Sequence, residues 1–266
     1  MNFIYGMHAV EEALRSGNRE FDHLQIAQER AKDTKLQRIM EMARGEGIPI
    51  RMVPREDLAR LAQTHMHQGV VAVTTEKNYA QLHDLIDVPK ENGYKLFMVL
   101  DGIEDPHDLG ALLRNADGAG ADGVVIPDRR AAGVNATVVK VSAGASEHVS
   151  IVKAKNIGRI LEEMKASNIW IVGLDERGDK TYDQVDFNMD CAIVLGSEGK
   201  GLHQHVAEKC DFLVRIPMAG EVSSLNVSVA GAVVLFEAVR QRRSPKRSAV
   251  PTAPESKKKK LKGLGS

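Results

Sequence analysis

The sequence has only two cysteines in 266 residues, Cys191 and Cys210, and neither belongs to a paired motif. Disulfide bonds are therefore not expected, and a reducing cytoplasm is the default compartment. The chain also lacks an apolar run long enough to cross a bilayer, and its opening residues, MNFIYGMH, do not follow the pattern of a signal peptide. These absences exclude the disulfide-stapled and the membrane-spanning classes of protein.

The chain has no net charge, but its basic residues are unevenly distributed. Ten of the 36 basic residues lie from Arg240 onward, against one of the 36 acidic residues, so the preceding chain carries an excess of nine negative charges. A proline-containing basic segment of this kind cannot form a core, and residues 244–266 are expected to be disordered. Two interpretations stay open: a loose electrostatic grip on RNA, or a solubilising tail.

Residues 1–75 have the pattern of a small α/β unit, expected to be an N-terminal domain with a mostly parallel sheet. The predicted elements are a helix at 7–15, a strand at 23–27, a helix at 32–44, a strand at 49–53, a helix that opens at Pro54 and a strand at 70–74. Residues 76–94 are polar and fit a linker with one helical turn. His65, His67 and His83 lack supporting ligands at suitable spacing, so no metal site is expected.

Residues 95–243 show regular alternation of apolar strands and helices. Strands are predicted at 95–100, 124–126, 148–152, 169–174, 191–195 and 212–216, and helices at 109–120, 135–142, 156–166 and 225–240. Asp108 is the expected N-cap of the first of these helices, and Ser223 or Ser224 that of the last. The alternation predicts an α/β fold whose parallel sheet is covered on both faces.

Two glycine-rich stretches match nucleotide-binding patterns in letters only. Residues 118–123, GAGADG, fit G-x-G-x-x-G, but a predicted helix precedes them and a predicted strand follows, which is the reverse of the dinucleotide-binding order. In residues 196–201, GSEGKG, no serine or threonine follows the Gly-Lys pair, and the spacing of the glycines differs from that of a P-loop. The sequence therefore argues against a nicotinamide enzyme, the common Rossmann methyltransferases and a P-loop protein.

Three polar, glycine-containing segments follow the predicted strands at their carboxyl ends, where open α/β sheets bind ligands. They are DPHDLGALLR at 105–114, LGSEGKGL at 195–202 and IPMAGEVSSLNVSVA at 216–230. The small residues of the helix that follows the third segment allow another backbone to approach closely. In this order, the segments resemble the three signature motifs of the SpoU, or TrmH-type, family of RNA ribose 2'-O-methyltransferases in the SPOUT superfamily.

The opening YGMHAV and the SSLNVSVA run are similar to the RlmB branch of that family, which methylates a guanosine of 23S rRNA. The resemblance implies an N-terminal RNA substrate-binding domain (1–75), a linker (76–94) and a methyltransferase domain (95–243) containing a deep trefoil knot. It also implies a homodimer and bent S-adenosylmethionine held by backbone groups. Carried onto this chain, the cofactor contacts fall at Gly196, Ile216 and Leu225, together with Leu195 and Met218.

The resemblance also assigns catalytic residues. The essential position is Arg114, for which a role as base and a role as a clamp on an RNA phosphate both stay open. Glu198 is expected to orient Arg114 or a loop, including across the dimer, and Ser224 and Asn226 to hydrogen-bond the ribose or the cofactor carboxylate. The family usually has asparagine where this chain has Asp108, so the added charge is expected to tune the site.

Two other functions remain open from the sequence. One is a tRNA ribose methyltransferase of the same superfamily; the other is a non-catalytic RNA-binding or ribosome-assembly factor that has kept the fold. The expected partner is 23S rRNA, either free or in an assembly intermediate.

Overall fold

The computed structural model describes residues 2–90 and 93–243, which form two sheets with their covering helices. The predicted disorder of residues 244–266, and the RNA grip considered for them, lie outside the described residues. Within the described ranges, every helix is too short or too polar to span a membrane.

The first sheet has four strands in the order β1-β4-β2-β3. Its elements are β1 (Asn2–Tyr5), α1 (Met7–Ser16), β2 (Phe21–Ala27), α2 (Thr34–Gly45), β3 (Ile50–Val53), α3 (Arg55–Ala62) and β4 (Val70–Thr74). The prediction of a mostly parallel sheet is wrong here, because β4 runs antiparallel to both β1 and β2, and only β2 and β3 are parallel. The fully buried strand β4 sits between β1, which the sequence did not predict, and β2.

The second sheet has seven strands in the order β7-β6-β5-β10-β8-β11-β9, and all its neighbours pair in parallel. Its strands are β5 (Leu96–Asp101), β6 (Gly123–Pro127), β7 (Ile151–Ala154), β8 (Trp170–Leu174), β9 (Lys180–Thr181), β10 (Cys191–Gly196) and β11 (Phe212–Arg215). Its helices are α4 (Leu82–Ile86), α5 (Pro106–Gly118), α6 (Ala136–Val141), α7 (Ile157–Ala166), α8 (Gln204–Ala207) and α9 (Val227–Arg243). The predicted parallel α/β architecture is confirmed.

Helices cover both faces of this sheet. Leu112 of α5 and Leu235 of α9 pack into one buried cluster, whereas Leu161 of α7 and Val206 of α8 pack into the other. The central strand β10 is buried along its whole length because it is covered from both sides. Its continuous apolar sequence is typical of a parallel strand in this position.

The predicted linker is partly packed against the second sheet. In its described portion Ala80 forms a bridge to Val152, and Leu82 of α4 is buried in the cluster that α7 and α8 cover. The glycine pattern at 118–123 lies between the end of α5 and the start of β6, so its rejection as a dinucleotide-binding motif is confirmed.

The two units meet at a buried seam. Arg19, after α1, donates from Nε to Oε2 of Glu147 over 2.8 Å and from Nη2 to Oε1 over 3.0 Å, and the two side chains are 3% and 0% exposed. Val139 of α6 packs in the hydrophobic cluster of the first unit. Gly144 has a φ of +90°, and a Cβ there would lie 2.5 Å from Cβ of Glu12. The seam is therefore closely packed as well as charged.

The trefoil knot implied by the family resemblance stays a prediction, as do the domain boundaries at residues 75, 94 and 243.

Candidate active site

The three motif segments lie at the same edge of the second sheet. Parallel strands present their carboxyl ends together, so the segments after β5, β10 and β11 emerge on one side. We refer to residues 196–203 as the glycine loop and to residues 216–226 as the serine loop. The remaining segment, at 105–114, forms the first turns of α5.

A cavity of about 610 Å³, the edge cavity, lies where the glycine loop and the serine loop converge. Its lining includes all five residues expected to contact a cofactor: Leu195, Gly196, Ile216, Met218 and Leu225. Its size is typical of a site for a small organic ligand. The lining also includes three predicted catalytic residues, Glu198, Ser224 and Asn226. It further includes the last residue of β8 and the three that follow it, which the sequence did not suggest: Leu174, Asp175, Glu176 and Arg177.

The glycine loop folds back on itself at the end of β10. Ser197 bridges to Gly201, whose N–H donates to the Ser197 carbonyl over 3.0 Å. A Cβ at Gly196 would lie 2.1 Å from both the carbonyl carbon and the oxygen of Gly201. Only glycine fits at position 196 without moving the backbone, which explains the residue type at this point of the motif.

Two buried carboxylates anchor the far end of the glycine loop. The N–H of Leu202 donates to Oδ2 of Asp175 over 3.1 Å, and the N–H of His203 donates to Oδ2 of Asp101 over 2.9 Å. Arg177 hydrogen-bonds to Asp175, which holds the pKa of that carboxyl below its usual value. This anchoring role was not predicted, because its only local signal in the sequence is an acidic residue immediately after a buried strand.

Asn226 joins the three motif segments. Its Nδ2 donates to Oδ1 of Asp108 on α5 over 2.9 Å and to Oε1 of Glu198 in the glycine loop over 2.7 Å. Its Oδ1 accepts from the N–H of Ser228 over 3.0 Å and from the Ser228 hydroxyl. The amide thus uses both of its donor hydrogens and both acceptor positions within the chain.

The two N-cap predictions are corrected by this arrangement. Asp105, not Asp108, caps α5, accepting from the N–H of His107 over 2.7 Å with Pro106 in the first turn. Helix α9 begins at Val227, so the capping side chain is Asn226 rather than Ser223 or Ser224. Asp108 lies within the first turn of its helix, where its carboxylate reaches Asn226 of the serine loop.

Arg114 stands apart from these contacts. It is exposed on α5, does not line the edge cavity, and has no hydrogen-bond or ion-pair partner among the residues that the structure describes. Glu198 accepts from Asn226 and not from Arg114, so the expected pairing of Glu198 with Arg114 is not present within one chain. The neighbouring Asn115 donates from Nδ2 to the Ser228 carbonyl over 2.8 Å and joins α5 to α9.

The histidines singled out from the sequence do not converge on a metal. His67 is buried in a turn, where its Nδ1 accepts from the N–H of Gly69 over 3.1 Å, and His83 lies beside Asp84 at the surface. Across the described parts of the chain, no group of three or more His, Cys, Asp and Glu side chains could hold a metal ion.

Comparison with known proteins bears directly on this site. The model of the SpoU rRNA Methylase family matches residues 95–236, and the model for RNA 2'-O ribose methyltransferase substrate binding matches residues 3–80. The first match includes every residue of the three motif segments. The second covers the unit built on the mixed four-stranded sheet.

Relatives and solved structures agree with these matches. The chain is 45% identical over 242 residues to YacO of Bacillus subtilis (strain 168), whose name covers tRNA and rRNA methyltransferases of the TrmH family, with 91% of this chain and 96% of YacO covered. It is 43% identical to the 23S rRNA (guanosine-2'-O-)-methyltransferase RlmB of Pseudomonas aeruginosa, with 90% and 96% covered. The SpoU methyltransferase AviRb of Streptomyces viridochromogenes, solved with AdoMet, superposes with a TM-score of 0.76 at 27% identity over 90% of each chain. The chain therefore belongs to the SpoU rRNA methylase family.

Proposed function

We propose that this RNA methyltransferase transfers a methyl group from S-adenosylmethionine to the 2'-hydroxyl of a guanosine ribose in 23S rRNA, free or within an assembly intermediate, in the cytoplasm. The observation that carries the proposal is the edge cavity, where the glycine loop and the serine loop meet. The name of the Pseudomonas aeruginosa relative supports the rRNA guanosine, and the AdoMet complex of AviRb supports the methyl donor.

The residues of the edge cavity fit this cofactor. Glycine at position 196 lets the backbone of Gly201 pack directly against it, so the glycine loop folds tightly and its backbone lines the cavity. Leu195, Ile216 and Leu225 supply apolar walls for the adenine ring. When bound, the cofactor supplies a methyl group on a sulfonium centre, which is already a good leaving group.

Arg114 is the proposed substrate-positioning residue. A guanidinium offers five N–H donors and no acceptor, which favours the clamp over the base. Its guanidinium would hold a phosphate next to the target ribose through paired hydrogen bonds and set the hydroxyl in line with the methyl group. Ser224, which lines the edge cavity, is the proposed hydroxyl partner of the ribose or of the cofactor carboxylate.

A homodimer would bring Arg114 and the edge cavity together. Helix α9 packs on α5 and leaves Val229 and Phe236 about half exposed, at 50% and 46%. Apolar residues on one helix beside small residues such as Ala230 and Ala232 form a surface that a second copy of this chain could cover. In that assembly, Arg114 of one copy would face the edge cavity of the other.

The assignment of 23S rRNA as the substrate is tested with purified protein and labelled S-adenosylmethionine. Methyl transfer to 23S rRNA fragments, mapped to one guanosine 2'-oxygen, is the expected result. Cells lacking the gene should lose the same modification. Label on tRNA instead would favour the broader activity in the name of YacO and overturn the rRNA assignment. Absence of saturable cofactor binding in calorimetry would overturn the enzyme assignment altogether.

Asp108→Asn is expected to tighten RNA binding. Asparagine at position 108 keeps the Oδ1 atom that accepts from Asn226. It removes the negative charge of one of the two carboxylates that accept hydrogen bonds from the Asn226 side chain. One fewer negative charge close to a phosphate is worth about 1 kcal/mol in water, so KM for RNA should fall by a factor of roughly five at low salt. Steady-state kinetics at two salt concentrations measure this.

Asp117→Asn is the matched control for that variant, because Asp117 is exposed at the other end of α5. It should leave KM close to the wild-type value. Identical kinetics for wild type and Asp108→Asn would show that position 108 does not tune the site.

A further inference from the structure

A second cavity, of about 690 Å³, lies at the seam between the two units, and we refer to it as the seam cavity. It is bounded by the turn after α1, by the segment that follows β4 and by the start of β7. None of its lining residues lines the edge cavity. The seam cavity is therefore separate from the proposed methyl-transfer site.

Lys77 lines the seam cavity and is 7% exposed. Its ammonium has no hydrogen-bond or ion-pair partner in the part of the chain that the structure describes. Burial lowers the pKa of Lys77, and Arg19 adds to that effect while Glu147 opposes it. Most of the Lys77 side chain is buried while Nζ stays accessible, so the ammonium can meet a partner that the chain itself does not provide.

The nearest anion, Glu147, is already engaged by other groups. Its two oxygens accept from Arg19 over 2.8 and 3.0 Å, and Oε1 also accepts from the hydroxyl of Ser146 over 3.4 Å. The remaining amino group of Arg19, Nη1, donates to the Thr75 carbonyl over 3.1 Å. Both oxygens of Glu147 are thus taken by Arg19, and among the described residues no carboxylate forms an ion pair with Lys77.

The other charged residues of the cavity do not change this balance. Glu20 is exposed, and it is not among the charges that act on Lys77. His148 is within 2.9 Å of Oε2 of Glu12, across the seam, and the carbonyl of Glu147 accepts from Asn18 over 2.9 Å. The amide of Asn78 and the hydroxyl of Ser150 complete the polar lining.

We propose that the seam cavity binds a phosphate oxyanion, with Lys77 as the cation that meets it, and that the phosphate belongs to the backbone of the RNA substrate. The RNA source rests on the proposed function. It is supported by the position of Lys77 within residues 3–80, which match the substrate-binding model. Inorganic phosphate has the same chemistry and is the alternative source.

The test uses the full-length variant Lys77→Met, which removes the charge and retains most of the side-chain volume. Inorganic phosphate should raise the midpoint of thermal unfolding of the wild type and have a smaller effect on the variant. RNA affinity should fall by a factor of roughly ten at low salt, and the log–log salt slope should decrease by about 0.7 to 0.9, as for one lost phosphate contact. The unliganded variant should be at least as stable as the wild type, because burial of the side chain disfavours the charge that has been removed.

Lys209→Met is the matched control, since Lys209 forms a surface ion pair with Glu162 of α7, away from the seam cavity. It should respond to phosphate and RNA as the wild type does. An equal phosphate response in the wild type and Lys77→Met would overturn the oxyanion site, as would a loss of unliganded stability in that variant. A phosphate response without a change in the RNA slope would assign the site to free phosphate. The phosphate measurement requires no methyl transfer, so its outcome tests only the seam cavity. The proposed function is tested separately, by the methyl-transfer assay.

Discussion

Replacement of Arg114 by alanine is expected to lower the rate of methyl transfer by a factor on the order of 10³ while leaving cofactor affinity unchanged. The residue is exposed on α5, does not line the edge cavity and has no partner within the described chain, so its removal costs the fold little. What it removes is the proposed clamp that sets the ribose hydroxyl against the methyl group. Labelled methyl incorporation into RNA measures the rate, and calorimetry with S-adenosylmethionine measures the affinity.

Two further variants make this result specific. Arg159→Ala removes an exposed arginine of α7 that pairs with Glu163, and it should retain the wild-type rate. Arg114→Lys keeps the positive charge without the planar fork and should recover part of the lost rate if the residue is a clamp. A rate above one tenth of wild type in Arg114→Ala would contradict the role proposed for this residue.

Replacement of Arg19 by methionine is expected to lower the free energy of unfolding by about 3 to 5 kcal/mol, because Glu147 would be left buried without its partner. The pair is almost fully excluded from solvent and makes two hydrogen bonds across the seam. Chemical denaturation, followed in both units, measures the loss.

Arg15→Met is the control for this second prediction, because Arg15 pairs with Glu11 and Glu12 at the surface of α1 and its loss should cost less than about 1 kcal/mol. The double variant Arg19→Met with Glu147→Met removes both charges and should regain most of the lost stability. If the single and double variants were equally unstable, the loss would reflect packing at the seam rather than an unpaired carboxylate.

The second sheet could be predicted from local sequence because its strands are continuous apolar runs bounded by polar loops. Residues 95–100 and 191–195 show this pattern, and both segments are central buried strands. Strand β1 has only four residues, and its pairing with β4 depends on a partner about 70 residues away. The antiparallel course of β4 was missed for the same reason: direction in a sheet is decided by non-local pairing, whereas an apolar pattern fixes only the strand itself.

In the site, the residue types were predictable but their partners were not. Ser223, Ser224 and Asn226 are all good helix caps, and the sequence offers no reason to prefer one. Asn226 takes the position because Glu198 and Asp108 converge on its amide, and that convergence depends on which loops become neighbours. The anchoring of the glycine loop by Asp101 and Asp175 was hidden for the same reason, since it depends on β10 lying between β5 and β8.

The amide of Asn226 makes the three motif segments mechanically interdependent. Its Nδ2 donates one hydrogen bond to Asp108 in α5 and another to Glu198 in the glycine loop. A shift of either element would therefore strain the hydrogen bond to the other. A ligand that displaced the glycine loop would therefore act on the helix that carries Arg114 without any contact between the two.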